Sequence, residues 1–485
     1  MAKIMVAPMN SLMTGAIIVL SMASCLRAHS LDSDFNCFAV LAGKDATVDG
    51  SVMLAHNEDD GGEQLLNWYI VGRQTHPKGE RVMFKRGGST DQAPVTYKSL
   101  WLELPGMEVS DSFLNENGVV IASDGCPSRE DRPDYTDGGI LYELRRLAAE
   151  RASTAASAVD LMGALIEKYG YADSGRSYVI ADRTEAWVLC VVRGRHWAAA
   201  RVPDDSIAAI ANCFTLVKVD LNDVRNYRGS KDIVTYATSR GWYDPQKDGE
   251  FSFRRAYATP GSRSHPDNVK RQWAALRRLT GKEFPRESDA LPFLAAPKAG
   301  KVSLEDLFGV LADHYEGTEA DARKAEPENK SHLGGICHDG TQYGFVAQLR
   351  SGMPPEMGAL LWIAPYHPCS KVFVPWYAGM TKVPRGFSRF ASVKTAQDKH
   401  LSEVRDFRMD CPNHRYWRYV DSSEAINSDY PSNIQRYAAY KAQLQRDILD
   451  RQAAFEAKAK EIKDKKKLGK VLNQYTEKWV AKEMF

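Results

Sequence analysis

No two of the eight cysteines stand as Cys-x-x-Cys. Zinc ribbons and thioredoxin-type redox motifs are therefore excluded, and spacings this wide do not describe a disulfide scaffold. Neither sign of charge is in excess: 64 basic residues face 62 acidic ones, for a net charge of +2. A dedicated nucleic-acid binder needs a strong basic surplus, so that class is excluded as well. The apolar run centred on residues 16–20 is too short to span a bilayer comfortably. There is no His-Glu-x-x-His, no internal repeat and no long low-complexity segment. What remains is a globular composition, 44% hydrophobic and 10% aromatic over 485 residues, enough for one large domain or two to three ordinary ones.

Residues 1–30 read as a secretory leader. Lys3 gives a positive start, the apolar centre follows, and residues 21–28 are rich in small side chains. Cleavage near Ala28 is expected, with export to a periplasmic or extracellular space. Met22-Ala23-Ser24-Cys25 is a poor match to a lipoprotein box, and anchoring through Cys25 is the alternative. Asp34-Phe35-Asn36 are poor signal-peptidase residues, so 31–36 read as a short propeptide. A second, autocatalytic cut would then expose Cys37.

The chain is organised around the stretch from Cys37 to Asp59. Residues 37–42 are apolar and free of turn formers, 43–50 carry Gly, Lys and two Asp, and 51–56 are apolar again. This is the pattern of two strands around a polar turn. Such a unit brings its ends together, placing Cys37 near His56, Asn57, Glu58 and Asp59. A sulfur beside an imidazole, an amide and carboxylates suits a nucleophile. A small apolar Cys in a core strand is the bland alternative.

Further strands are expected at 100–103 and 119–122, the second after the turn Asn115-Glu116-Asn117-Gly118. Residues 138–150 carry Ile140, Leu141, Leu144, Leu147 and Ala148 on one helical face. Ala158, Leu161, Met162, Leu165 and Ile166 repeat the pattern, and both stripes should pack on a sheet. Residues 177–181, 186–192 and 196–202 read as an antiparallel meander, and 207–216 as a strand pair centred on Asn212. Residues 220–300 read as a polar insertion. A late strand group is expected at 343–349, 359–364 and 371–374. The domain is expected to run over 37–420. A charged helical tail, 421–485, should dock by Leu468, Val471, Leu472, Tyr475 and Trp479. The order of elements gives an α+β fold with antiparallel sheets.

Several separated blocks, in order, resemble the bacterial cysteine dipeptidases among the N-terminal-nucleophile hydrolases. Secernins, penicillin V acylase and bile salt hydrolase are more distant relatives. The blocks are Cys37 with Asp49-Gly50-Ser51 and Asn57-Glu58-Asp59, then Leu141-Tyr142-Glu143-Leu144 to Tyr169-Gly170-Tyr171. Ala181-Asp182-Arg183-Thr184-Glu185-Ala186-Trp187, His196 to Asp205 with Asn212, and His338-Asp339-Gly340-Thr341 to Pro354-Pro355 and Trp362 complete the set. The resemblance implies a four-layer αββα sandwich of two antiparallel sheets. It also implies that Cys37, as a chain terminus, hydrolyses amide bonds. A free α-amine has a pKa of about 7.7–8.0 and can take the thiol proton near neutrality, whereas before cleavage that nitrogen is an amide without basicity.

The same resemblance implies roles for other residues. Asn212 supplies an oxyanion donor, with a second from the backbone at Asp124 or Gly125. Asp59 orients the new amine, and Arg271 matches a late active-site Arg. His56 departs from relatives that carry Arg there, and an imidazole is not permanently charged. Glu58 reads as an exposed carboxylate, or as a sensor of the substrate amine.

Three functions follow: a dipeptidase acting on short peptides, an acylase cutting N-acyl amino acids, or a binding protein of this fold that is not processed. A metal hydrolase is the weakest reading, since His56, Glu58 and Asp59 match no standard site. No cofactor, metal, nucleic acid or membrane partner is expected beyond the leader. Oligomeric state is left open, a homo-oligomer included.

Overall fold

The computed structural model describes residues 37–59, 64–322, 334–402 and 407–483. The leader, Cys25 and the propeptide 31–36 lie outside the described residues. Two large antiparallel sheets make the frame. One has seven strands in the order Leu294–Ala295, Ile207–Ile210, Phe38–Ala42, Val52–Asp59, Thr341–Leu349, Ala359–Pro365 and Val374–Tyr377. The other has eight: Tyr227–Gly229, Trp197–Val202, Ala186–Gly194, Tyr171–Ala181, Val120–Gly125, Ser112–Asn115, Ser99–Glu103 and Asn67–Val71.

The sheets face one another, with Val52–Asp59 and Phe38–Ala42 against Tyr171–Ala181 and Val120–Gly125. A single apolar core fills the gap, fed alternately by Val52 and Leu54, Val120 and Ala122, Val179 and Ala181. Residues of opposite parity, such as Ile121, Tyr178 and Ile180, form a second core on the outer face of the eight-stranded sheet. The period of two in these strands explains the split. Helices Tyr142–Arg151 and Ala155–Tyr169 cover that outer face, the latter with its Ala158, Met162, Leu165 and Ile166 stripe buried. Thr154 and Ser157 close its N-terminus in a reciprocal capping box. Helices Pro266–Thr280 and Leu304–Leu311 lie on the outer face of the seven-stranded sheet. The layering is αββα.

Several boundaries differ from the sequence reading. The second strand of the hairpin runs on through Asn57-Glu58-Asp59, because Thr341–Leu349 pairs along it, with Asn57 opposite Gly344 and Glu58 opposite Tyr343. The last strand is Val374–Tyr377 rather than 371–374. It contains Pro375, which an edge strand tolerates although it cannot donate. Only Ile207–Ile210 is strand in the 207–216 stretch, and Asn212 stands just beyond it. Residues 220–300 hold several helices, of which Pro266–Thr280 carries Arg271 inward. At the C-terminus, helices Tyr416–Asn427, Tyr430–Lys460 and Lys465–Glu483 follow one another. The last is seated on Val374–Tyr377 through Leu472, Trp479 and Val480. Among the described residues no helix is long and apolar enough to cross a membrane.

Candidate active site

The hairpin sets the geometry. Phe38 pairs with Asn57 and Ala39 with His56, so Cys37 stands level with Glu58 at the open end. Side chains two apart share a face, and Cys37, His56 and Glu58 therefore converge. Their donor atoms all lie within 4.8 Å of one another. The Cys37 thiol donates to Glu58 Oε1 at 3.4 Å and approaches the Asp59 carbonyl at 3.7 Å. Glu58 is not the exposed carboxylate that its composition suggested: it is 1% exposed, because the strand continues through it.

His56 is wholly buried, with Nε2 3.4 Å from the Ser123 carbonyl and 3.6 Å from Asp124 Oδ1 on the opposing sheet. Burial pushes the Asp124 carboxyl above its ordinary range, while His56, Arg271 and Arg176 pull the other way. Asp124 is thus the partner of His56, and Gly125 is the neighbour of Asn212: a Cβ built on Gly125 would lie 3.8 Å from Asn212 Nδ2.

Arg271 and Asn212 form a second group around the same cysteine. Arg271 Nη1 donates to the Cys37 carbonyl at 2.8 Å. Nη1 and Nη2 each lie 3.1 Å from Asn212 Oδ1, and Nη2 donates to Asn268 Oδ1 at 2.7 Å. Asn268 in turn donates from Nδ2 to the Asn212 carbonyl at 3.1 Å. With its oxygen held by a guanidinium, the Asn212 amide has one orientation, and its Nδ2 is buried without a hydrogen-bond partner among the described residues.

Asp59 is placed differently from the rest. It is fully buried, and its Oδ2 stands 3.2 Å from His338 Nε2. The sequence reading gave His338 no role. Nor did it find Arg176, a buried guanidinium whose charged surroundings include Cys37. Arg176 donates to Tyr171 Oη at 3.1 Å and Ser123 Oγ at 3.4 Å. Burial alone would lower its pKa, but Tyr171, Asp173 and Tyr178 hold it raised. The apolar run at 177–181 begins one residue after Arg176, so apolarity gave no signal there. The strand in fact starts at Tyr171.

Comparison with known proteins gives the class: the chain is a hydrolase acting on peptide bonds. It belongs to peptidase family C69, whose model matches residues 113–403, more than half of the chain. A probable dipeptidase of Latilactobacillus sakei is 29% identical over 355 residues, covering 70% of this chain and 74% of the relative. One from Salmonella dublin is 27% identical over 358 residues, covering 71% and 81%. Among solved structures, penicillin V acylase from Agrobacterium tumefaciens aligns at 13% identity with a TM-score of 0.34, over 68% of this chain and 82% of that one. The C2A mutant of a conjugated bile acid hydrolase from Clostridium perfringens aligns at 12% with a TM-score of 0.35, over 68% and 89%.

Proposed function

We propose that the protein is a cysteine dipeptidase whose nucleophile is Cys37, exposed as an N-terminal residue by autocatalytic removal of the preceding segment. The observation that carries the reading is the fixed Asn212 amide. One guanidinium holds both its oxygen and the Cys37 carbonyl, so a buried N–H donor stands beside the residue that bears the thiol.

The α-amine of the processed Cys37 takes the Sγ proton, and the thiolate attacks the substrate carbonyl. The oxyanion that forms is met by Asn212 Nδ2, with the backbone N–H of Gly125 as the second donor. The C–N bond breaks, the proton moves from the cysteine amine to the departing amine, and a thioester remains. Water, deprotonated by the same α-amine, opens the thioester and frees the acid. His56 and Arg176 bring positive charge or N–H donors toward the sulfur, and Asp59 with His338 braces the strand end behind it. The dipeptidase names of the relatives support short peptides as substrates. The Lys3 start, the short apolar centre and the small side chains of residues 21–28 support export.

The test joins intact-mass measurement to a substrate panel. Active protein should begin at Cys37, the Cys37→Ala variant should keep its upstream residues, and dipeptides should be cleaved. Faster turnover of N-acyl amino acids than of dipeptides would make the enzyme an acylase. Active material that retains residues ahead of Cys37 would overturn the mechanism. An unprocessed, inactive chain would make it a binding protein.

A further inference from the structure

A second cysteine cluster lies apart from the proposed nucleophile. His314 follows the Leu304–Leu311 helix, Cys337 precedes the Thr341–Leu349 strand, and Cys369 sits in the turn Pro368–Ser370. Three distant segments thus bring one imidazole and two thiols together, with donor atoms all within 4.8 Å of one another. His314 and Cys337 are wholly buried and Cys369 is 8% exposed.

The surroundings are built as a ligand shell. Glu316 grips His314 twice, Oε1 at 2.9 Å from Nδ1 and Oε2 accepting from the backbone N–H at 2.8 Å. A carboxylate on Nδ1 fixes the ring and leaves Nε2 as the ligand atom, the usual support of a metal-bound imidazole. The ring reaches the Cys369 sulfur, the two sulfurs reach each other, and the Tyr430 hydroxyl reaches Cys369. Lys441 Nζ pins the carbonyls of Pro368 and Cys369 at 2.7 Å each. The backbone N–H groups of Ile336 and Cys337 both donate to the Asp313 carbonyl, at 2.8 and 3.2 Å. Ile426, Ala312, Ile434 and Tyr437 close an apolar wall around the cluster.

We infer that His314, Cys337 and Cys369 bind one Zn2+ ion, with the Tyr430 hydroxyl at the fourth position. Two thiolates and an imidazole are the donor set of a borderline-soft, tetrahedral ion, not of Ca2+ or Mg2+. Binding forms two Zn–S bonds, one Zn–N bond and one Zn–O bond to the neutral Tyr430 hydroxyl, which keeps its proton, and releases the two thiol protons to solvent. The ion is structural. The residues on either side of Cys337 are tied to the strand that carries the candidate site: Asn57 Nδ2 donates to the Ile336 carbonyl at 3.0 Å, and His338 meets Asp59. Clamping Cys337 therefore fixes 336–338 against that strand, and Tyr430 ties the start of the long helix Tyr430–Lys460 to the same point.

The test uses the full-length protein, reduced, loaded with Zn2+ and desalted. One equivalent of zinc per chain should remain by mass spectrometry. Replacing it with Co2+ should produce thiolate-to-cobalt charge-transfer absorption and the intense visible bands of a tetrahedral ion. Both signals should persist in Cys37→Ala, which removes the other cysteine-containing donor set, and disappear in Cys337→Ser and Cys369→Ser. The wild-type cobalt spectrum needs no variant to fold, and its lack of a charge-transfer band would overturn the site. So would metal that is lost with Cys37→Ala, or a Cys337–Cys369 disulfide found by non-reducing peptide mapping of the protein as isolated.

Discussion

Arg271 holds the oxygen of Asn212 with both terminal nitrogens, 3.1 Å each, and so decides which way the amide points. The proposed chemistry needs the nitrogen, not the oxygen, to face the oxyanion. Asn212→Asp separates the two roles. The carboxylate keeps, and strengthens, the pairing to Arg271 but has no N–H to give. We expect kcat for dipeptide hydrolysis to fall roughly 10²–10³-fold with little change in KM, the magnitude of one lost oxyanion donor. The folded chain should be no less stable than wild type in chemical denaturation. Unchanged kcat would remove Asn212 from the mechanism.

Arg176 is the buried cation that the sequence did not advertise. A guanidinium near a sulfur favours its thiolate. Arg176→Gln should slow alkylation of Cys37 by iodoacetamide severalfold at neutral pH, and Arg176→Lys should restore part of that rate. Because the replaced side chain also bonds Tyr171 and Ser123, far-ultraviolet circular dichroism should accompany the measurement. Equal alkylation rates in Arg176→Gln and wild type would mean that the charge acts on the strand end rather than on the thiol.

Stability should depend on pH through a buried triad away from the site. His400 Nδ1 lies 2.9 Å from Glu103 Oε1, and its Nε2 lies 3.3 Å from Asp111 Oδ2. Burial, against the pull of His400, raises Glu103 from 4.5 to about 7. His400 is raised above 6.5 because Asp111 and Glu103 outweigh its own burial. In both cases the folded chain holds a proton more tightly than the unfolded chain. The Glu103 contribution is therefore full below its unfolded value and is lost as pH rises through about 7. The His400 contribution is full below 6.5 and is lost at higher pH still. Unfolding free energy should fall steadily from pH 5 to beyond neutrality, by about 3 kcal/mol at most for Glu103. Glu103→Gln should flatten the curve below pH 6.5, as read by urea titrations at a series of pH values.

How far the sequence carried the fold depended on whether a residue's partner was local. The Cys37 hairpin was legible because an apolar strand, a polar turn and an apolar strand can pair only with their ends together, and Phe38 does face Asn57. The helical stripe from Ala158 to Ile166 was legible because its period is intrinsic. Asn57, Glu58 and Asp59 looked like the end of a strand, since Asn and Asp are poor strand residues. They are held in the ladder by Thr341–Leu349, which lies some three hundred positions away in the chain. The same distance hid His338 and Glu58's burial, and the meeting of His314, Cys337 and Cys369 needed the fold because each comes from a different segment. Arg271 and Asn212 were found by resemblance to a family, and their mutual hydrogen bonds needed the fold.

Gly163 tests the packing of the outer layer. It sits inside the Ala155–Tyr169 helix, where Ala is favoured over Gly by about 1 kcal/mol. On helix propensity alone, Gly163→Ala should stabilise the protein. The Trp197 indole, however, lies against the bare Cα, and an added Cβ would stand 2.1 Å from Cζ2 and 2.5 Å from Cη2. The ring cannot simply swing aside, because its Nε1 donates to Glu167 Oε1 at 3.0 Å and its backbone is in the sheet. Overpacking of this kind costs about 1–3 kcal/mol, which exceeds the propensity gain. We expect Gly163→Ala to lower the melting temperature and to shift Trp fluorescence in the folded state. A melting temperature above wild type would mean that helix and sheet can separate at this point without cost.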